Sequence, residues 1–272
     1  MLRHRLAPLV VLVTLGAGLA QAAPETRLVI VGGGERPPAA MARFVHWAGG
    51  TAARVLVVAW ASGEAKESCE ILLGELRPHA PGAAECAPFV ALDAEGRAGR
   101  LEPDAKARVL AQLRSATGVF FSGGDQARIM DVLTGAELLL AFRERHAQGA
   151  VFGGTSAGAA VMSARMITGE GDFTVIDGAK VAVREGLGLL PGAIVDQHFV
   201  RRQRENRLFG LVLMHPTERG VGIDEDTALL VTGGRHAEVV GKGPVVLVDA
   251  KGKDRLEVTL LKSGARADLK RR

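Results

Sequence analysis

The residues best suited to covalent chemistry lie in one short stretch, Ala150 to Met162. An apolar run, Ala150-Val151-Phe152, turns through Gly153-Gly154-Thr155-Ser156-Ala157-Gly158 into small residues suited to a helix start. Gly154 to Gly158 fit G-x-S-x-G, the pattern of a serine carried on a sharp strand-to-helix turn. The glycines matter sterically, because only residues without a β-carbon let neighbouring backbone close around an outward-pointing hydroxyl. A serine so placed can attack a carbonyl. The Ala157 N–H, at the helix N-terminus, can then stabilise the oxyanion. The same spacing would also serve a plain Gly/Ala packing turn, but the flanking strand and helix favour the nucleophile.

A serine nucleophile needs a base within hydrogen-bond reach, and the base needs an acid to orient it. Beyond residue 22 the histidines are His46, His79, His146, His198, His215 and His236. His46 and His146 fall on amphipathic helices, His79 and His236 in turns, and His215 at a helix end, all positions suited to surface or capping roles. His198 alone leaves the carboxyl end of a buried-type strand, Ala193-Ile194-Val195, through Asp196-Gln197. Glu225, flanked by Asp224 and Asp226, follows another such strand and supplies the acid, although a solvated acidic turn would look the same. The resulting order, Ser…His…Glu, differs from the Ser…Asp/Glu…His order of ordinary α/β-hydrolases.

The elements that must hold these residues alternate. Buried-type strands are expected at 28–31, 55–59, 118–121 and 150–153, with a weaker one at 89–92. Helices are expected at 39–48, 64–76, 103–115, 126–133 and 136–146. That rhythm predicts an α/β fold with a mostly parallel central sheet and helices on both faces. The site then lies beyond the carboxyl ends of the strands, where Gly32–Gly34, Gly123–Gly124 and Gly153–Gly158 all fall. The Gly32-Gly33-Gly34-Glu35 run is not a dinucleotide fingerprint, since Pro37 stands where G-x-G-x-x-G needs glycine. After a helix at 199–214, short runs at 228–231, 238–240, 245–248 and 257–261 read as antiparallel edge strands.

Arg3 and Arg5, the apolar run Leu6 to Leu19 and Ala20-Gln21-Ala22 read as a secretory signal peptide over residues 1–22. Residues 23–272 then form one domain, exported to the periplasm or beyond, with no membrane partner after cleavage. The formal charge is +4 for the whole chain and +2 without Arg3 and Arg5. A body so weakly basic does not suit nucleic acid. Tyrosine is absent and aromatics make up 4% of the chain, which argues against a stacking platform. Cys69 and Cys86 can form a disulfide or stay as two buried thiols. Their spacing does not suit zinc, and acyl transfer calls for no metal or cofactor.

Four motifs in order resemble the cyanophycinase/dipeptidase E family of serine peptidases. They are Phe121-Ser122-Gly123-Gly124-Asp125-Gln126, Gly153 to Ala159, Asp196-Gln197-His198-Phe199 with Arg202, Arg204 and Arg207, and Gly222 to Ala228. The resemblance implies a fold like that of class I glutamine amidotransferases. It implies Ser156 as nucleophile, His198 as base, Glu225 as acid and the N–H groups of Gly124 and Ala157 as oxyanion hole. It also implies a substrate pocket built from Gln126, Asp196, Gln197, Arg202, Arg204 and Arg207, and it suggests a homodimer. The substrate implied is cyanophycin, a poly-aspartate backbone with arginine on each side-chain carboxyl, released as β-Asp-Arg. Guanidinium forks suit its carboxylates, while its own arginine needs acidic partners, for which Asp196 and Asp172 are candidates. Trp60-Ala61-Ser62-Gly63-Glu64 lacks the proline-threonine character expected after the second strand. Competing expectations are an aspartyl dipeptidase or other isopeptidase on the same scaffold, and a catalytically silent peptide-binding protein.

Overall fold

Strand residues apolar on both sides must be covered on both sides, and that need shapes the amino-terminal half. The computed structural model describes residues 24–172 and 174–270, so the expected signal peptide lies outside the described residues. Strand and helix alternate through β1 (Arg27–Val31), α1 (Pro38–Trp47), β2 (Arg54–Val58), α2 (Ala65–Leu76), β3 (Ala83–Cys86) and α3 (Pro103–Ser115). They continue through β4 (Gly118–Phe121), α4 (Gln126–Val132), α5 (Ala136–Ala147), β5 (Val151–Thr155) and the single turn α6 (Ala157–Ala160). A hairpin follows, β6 (Arg165–Gly171) and β7 (Val181–Glu185), then β8 (Ala193–Gln197), α7 (Glu205–Met214) and β9 (Arg219–Ile223). The chain closes with β10 (Thr227–Thr232), β11 (His236–Gly241), β12 (Val245–Ala250), β13 (Leu256–Leu261) and β14 (Arg266–Asp268).

Eight strands form the main sheet in the order β14-β11-β10-β1-β5-β4-β2-β3. The stretch from β1 to β3 is parallel, and β10, β11 and β14 extend it antiparallel. Alternate residues of β1 divide between the two faces. Leu28 and Ile30 join Phe121, Phe142 and Phe152, whereas Val29 and Val31 join Phe44, Val57 and Phe120. A second sheet, β13-β12-β9-β8, pairs β8 with β9 in parallel and packs on α7 through Ile194, Leu208, Leu211 and Val248.

Several expectations change. Residues 89–92 form no strand; Leu92 makes only an isolated bridge to Ala98, and β3 sits earlier, at Ala83–Cys86. Residues 199–203 are turns rather than helix, with Gln203 at a positive φ, and α7 begins only after Arg204. Of the closing strands, β10, β11 and β12 are interior, each paired on both sides. The β6–β7 hairpin was not anticipated. Cys69 and Cys86 form a disulfide, with Cα atoms 6.1 Å apart, pinning α2 to β3.

His146 is not on the surface. It is 5% exposed, edge-on to Phe152, its ring bonded to the Arg27 backbone while Nε2 lacks a partner among the described residues. Burial lowers its pKa to about 4. Protonation therefore favours the unfolded chain, and the associated stability is full above pH 6.5 and lost as pH falls toward 4. Chemical denaturation should show the protein losing about 3 kcal/mol more than a His146→Phe variant between pH 7 and pH 4. Equal losses would show that the imidazole is already solvated.

Candidate active site

The order of the main sheet gathers the three glycine-rich exits. Strand β5 lies between β1 and β4, with Thr155 level with Val31 and Gly154 level with Phe121. Ser156 therefore emerges between the loop after β1 and the loop after β4. Its φ is +52°, a conformation costing a non-glycine residue about 1–3 kcal/mol. Surrounding hydrogen bonds hold it there: Ser156 N donates to Val31 O at 3.0 Å, and Gly158 N to Ser122 O at 3.1 Å. A β-carbon on Gly154 would lie 2.8 Å from Gly158 Cα, so the turn closes only because residue 154 has none.

The second sheet delivers the other two groups. Gln197 and Ile223 are level on the parallel strands β8 and β9, so His198 and Glu225 leave neighbouring strand ends. His198 Nε2 lies 2.8 Å from Ser156 Oγ, and Nδ1 lies 2.6 Å from Glu225 Oε1. A carboxylate at Nδ1 selects the Nδ1–H tautomer and leaves Nε2 free to accept the serine proton. The flanking acids are occupied elsewhere. Asp224 accepts from the Arg201 N–H at 2.9 Å, and Asp226 from the Glu35 N–H at 2.8 Å.

The loop after β1 joins the two sheets. His198 N donates to Gly32 O at 2.7 Å, and Asp226 N to Gly33 O at 2.9 Å. Gly33 has a φ of +112°, and a β-carbon on it would lie 2.5 Å from Nε2 and 2.8 Å from Nδ1 of His198. The sequence showed a glycine-rich strand exit here. It could not show that the missing side chain is the space the imidazole fills.

Beyond Ser156 opens a cavity of about 590 Å³. Five of the anticipated substrate residues line it: Gln126, Gln197, Arg202, Arg204 and Arg207. Gly124 lines it as well, and Ala157 begins α6 directly after the serine. A β-carbon on neighbouring Gly123 would lie 3.9 Å from Ser156 Oγ, so the β4 exit flanks the hydroxyl. Asp196 is different. It is 1% exposed and accepts from buried Arg207, through Nε at 2.7 Å and through Nη2, so it serves as that arginine's counter-ion beneath the cavity. Asp172 does not line the cavity either; it bonds Thr174 and faces Lys180 at 3.6 Å. The Arg201 side chain, by contrast, is 76% exposed.

The hairpin contributes Thr168, Glu170 and Arg184 to the same lining, residues that sequence reasoning missed. Their only advance signal was a two-residue alternation, which a register shift between Ile167 and Gly171 interrupts. Gln126 Nε2 holds the hairpin by donating to Ile167 O at 2.8 Å.

Electrostatics set both halves of the site. Burial lowers the His198 pKa, the hydrogen bond to Glu225 partly offsets it, and the Arg202 charge lowers it further. The imidazole is thus kept neutral, as a base must be. Arg204 Nη1 donates to Gln197 O at 2.8 Å. Burial, then repulsion from Arg207, lowers its pKa to about 10, so it remains charged at neutral pH among like charges. An anionic ligand would relieve that repulsion.

The acid limb of kcat/KM should lie below pH 6.5 and shift upward in Arg202→Gln; an unmoved limb would remove Arg202 from the base's environment. Arg207→Met should cost about 3–5 kcal/mol in denaturant titrations by stranding the Asp196 charge. Arg202→Gln, at a half-exposed side chain, should change stability by no more than about 0.5 kcal/mol.

Residues 87–239 match peptidase family S51. The chain is 35% identical to a cyanophycinase of Geminocystis herdmanii over 231 residues, 84% of this chain and 82% of that one. It is 43% identical to a cyanophycinase of Trichormus variabilis over 143 residues, 52% of this chain and 48% of the relative. Among solved structures, a peptidase from an acI-B1 Actinobacterium aligns with a TM-score of 0.64 at 22% identity, covering 89% of this chain and 96% of that one.

Proposed function

The chain belongs to peptidase family S51 and is a serine-type peptidase, and we propose that it degrades cyanophycin, releasing β-Asp-Arg from the polymer. One observation carries the reading: the Ser156–His198–Glu225 relay opens onto a cavity rich in arginine. Release of β-Asp-Arg leaves each side-chain isopeptide bond intact, so the bond broken is the backbone amide between aspartates. Ser156 Oγ attacks that carbonyl carbon while His198 Nε2 takes its proton. The Ala157 and Gly124 N–H groups stabilise the oxyanion. The C–N bond then breaks, and His198 returns its proton to the leaving nitrogen. Water, activated by the same imidazole, hydrolyses the acyl-enzyme and frees the serine. Glu225 stabilises the imidazolium in both steps.

Arg202 and Arg204 bind substrate carboxylates in this scheme, and the half-exposed Arg202 side chain leaves its fork accessible. The enzyme acts outside the cytoplasm. The charged, apolar and A-x-A sequence of residues 1–22 supports export, and so does the Cys69–Cys86 disulfide, a bond that persists in oxidising compartments.

Digestion of purified cyanophycin should give β-Asp-Arg by mass spectrometry, and Ser156→Ala should lower kcat by at least about 10⁴-fold. Hydrolysis surviving in Ser156→Ala would reject the serine mechanism. Cleavage of α-aspartyl dipeptides without attack on the polymer would make the protein an aspartyl dipeptidase instead.

A further inference from the structure

Ser156 borders two cavities. The first, described above, includes Gly124, Gln197 and the arginines in its lining, but not His198. The second, of about 300 Å³, lies on the imidazole side and is lined by Gly33, Arg36, Ser68, Ile71, Leu72 and Gly123, together with Ser156 and His198. The two spaces differ in charge. Arg36 in the second is committed to Glu75, its Nε donating at 2.7 Å, and Nη1 donates to Gly34 O at 3.2 Å. Ile71 presents an apolar surface there, 48% exposed.

Proton delivery decides which half of a substrate enters which space. His198 must hand its proton to the departing nitrogen, so that nitrogen and its chain lie on the imidazole side. The acylating carbonyl lies on the other side, with its oxygen toward the Gly124 loop. Resting on the functional reading above, we propose that the second cavity is the leaving-group site, with Ile71 and Ser68 of α2 contacting the unit whose amine departs. The arginine-lined cavity receives the unit bearing the attacked carbonyl. That unit's free carboxylate, on its arginine, meets the guanidinium forks, while exposed Ile71 offers the next unit an apolar surface for the aliphatic stem of its side chain.

The wall is built to hold its place. Cys69, next to Ser68, is bonded to Cys86 and fixes α2 against the sheet. Ser68 Oγ donates to Ser62 Oγ at 2.7 Å, and Ser62 Oγ also accepts the Glu64 N–H at 3.0 Å. The loop after β2, whose sequence departed from family expectation, is thus the support of this wall.

Calorimetric titration tests the assignment in the inactive Ser156→Ala protein, using two ligands, the β-Asp-Arg dipeptide and its backbone-linked trimer. The trimer spans both cavities, whereas the dipeptide occupies only the arginine-lined one. Adding Ile71→Asp should weaken trimer binding by about tenfold and leave dipeptide binding unchanged; Ile71→Ala should act in the same direction by about threefold. An unchanged trimer affinity in both variants, or equal losses for both ligands, would overturn the leaving-group assignment. If Ser156→Ala binds neither ligand, the cyanophycin reading itself fails, and the assignment with it.

Discussion

The imidazole of His198 occupies the space that a side chain on residue 33 would fill. Everything chemical in the structure depends on that vacancy. Ser156 leaves a strand of the main sheet, whereas His198 and Glu225 follow strands of the second sheet. The two sheets meet where Gly32 and Gly33 accept the N–H groups of His198 and Asp226. A hydrogen bond of 2.8 Å between Ser156 and His198 tolerates little drift in that docking. The strained serine adds a second constraint from the other side, since its turn is fixed by bonds to Val31 of β1 and to Ser122 just after β4.

Around this relay the charges are arranged in depth. Asp196 and Arg207 are paired and buried, which fixes the start of α7 against β8. Arg204 and Arg202 stand progressively nearer to solvent, in a field made unfavourable by one another. A buried pair gives little stability by itself, but it locks a helix whose neighbouring arginines must point into the cavity. Burial is the main cause that lowers the His198 pKa, and the Arg202 and Arg204 charges of the same cluster lower it further.

Much of this was legible in the sequence because it is written in local patterns. The buried strands near 28–31, 55–59, 118–121 and 150–153, the glycine exits and the G-x-S-x-G turn are periodicity and sterics, and they fall where read, unlike the weaker run at 89–92. The order of Ser156, His198 and Glu225 excluded ordinary α/β-hydrolases before any contact was known. What stayed hidden depends on tertiary proximity. Asp196 looked like a ligand for substrate because its partner Arg207 lies eleven positions away, on another element. Thr168, Glu170 and Arg184 were missed because a bulge breaks the alternation of their hairpin. His146 reads as a surface residue on its helix until Phe152 is placed against it. The choice between a disulfide and two thiols needed the separation of α2 and β3, which no spacing supplies.

The most direct test of the central claim is the rate at which a serine-directed phosphonate labels the protein, with the site identified by peptide mass spectrometry. The account predicts a single adduct on Ser156. It predicts that Gly33→Ala, checked to retain native circular dichroism, labels at least about 100-fold more slowly, because the new methyl group displaces the imidazole. An adduct on another residue, or labelling of folded Gly33→Ala at the rate of the unaltered protein, would contradict it.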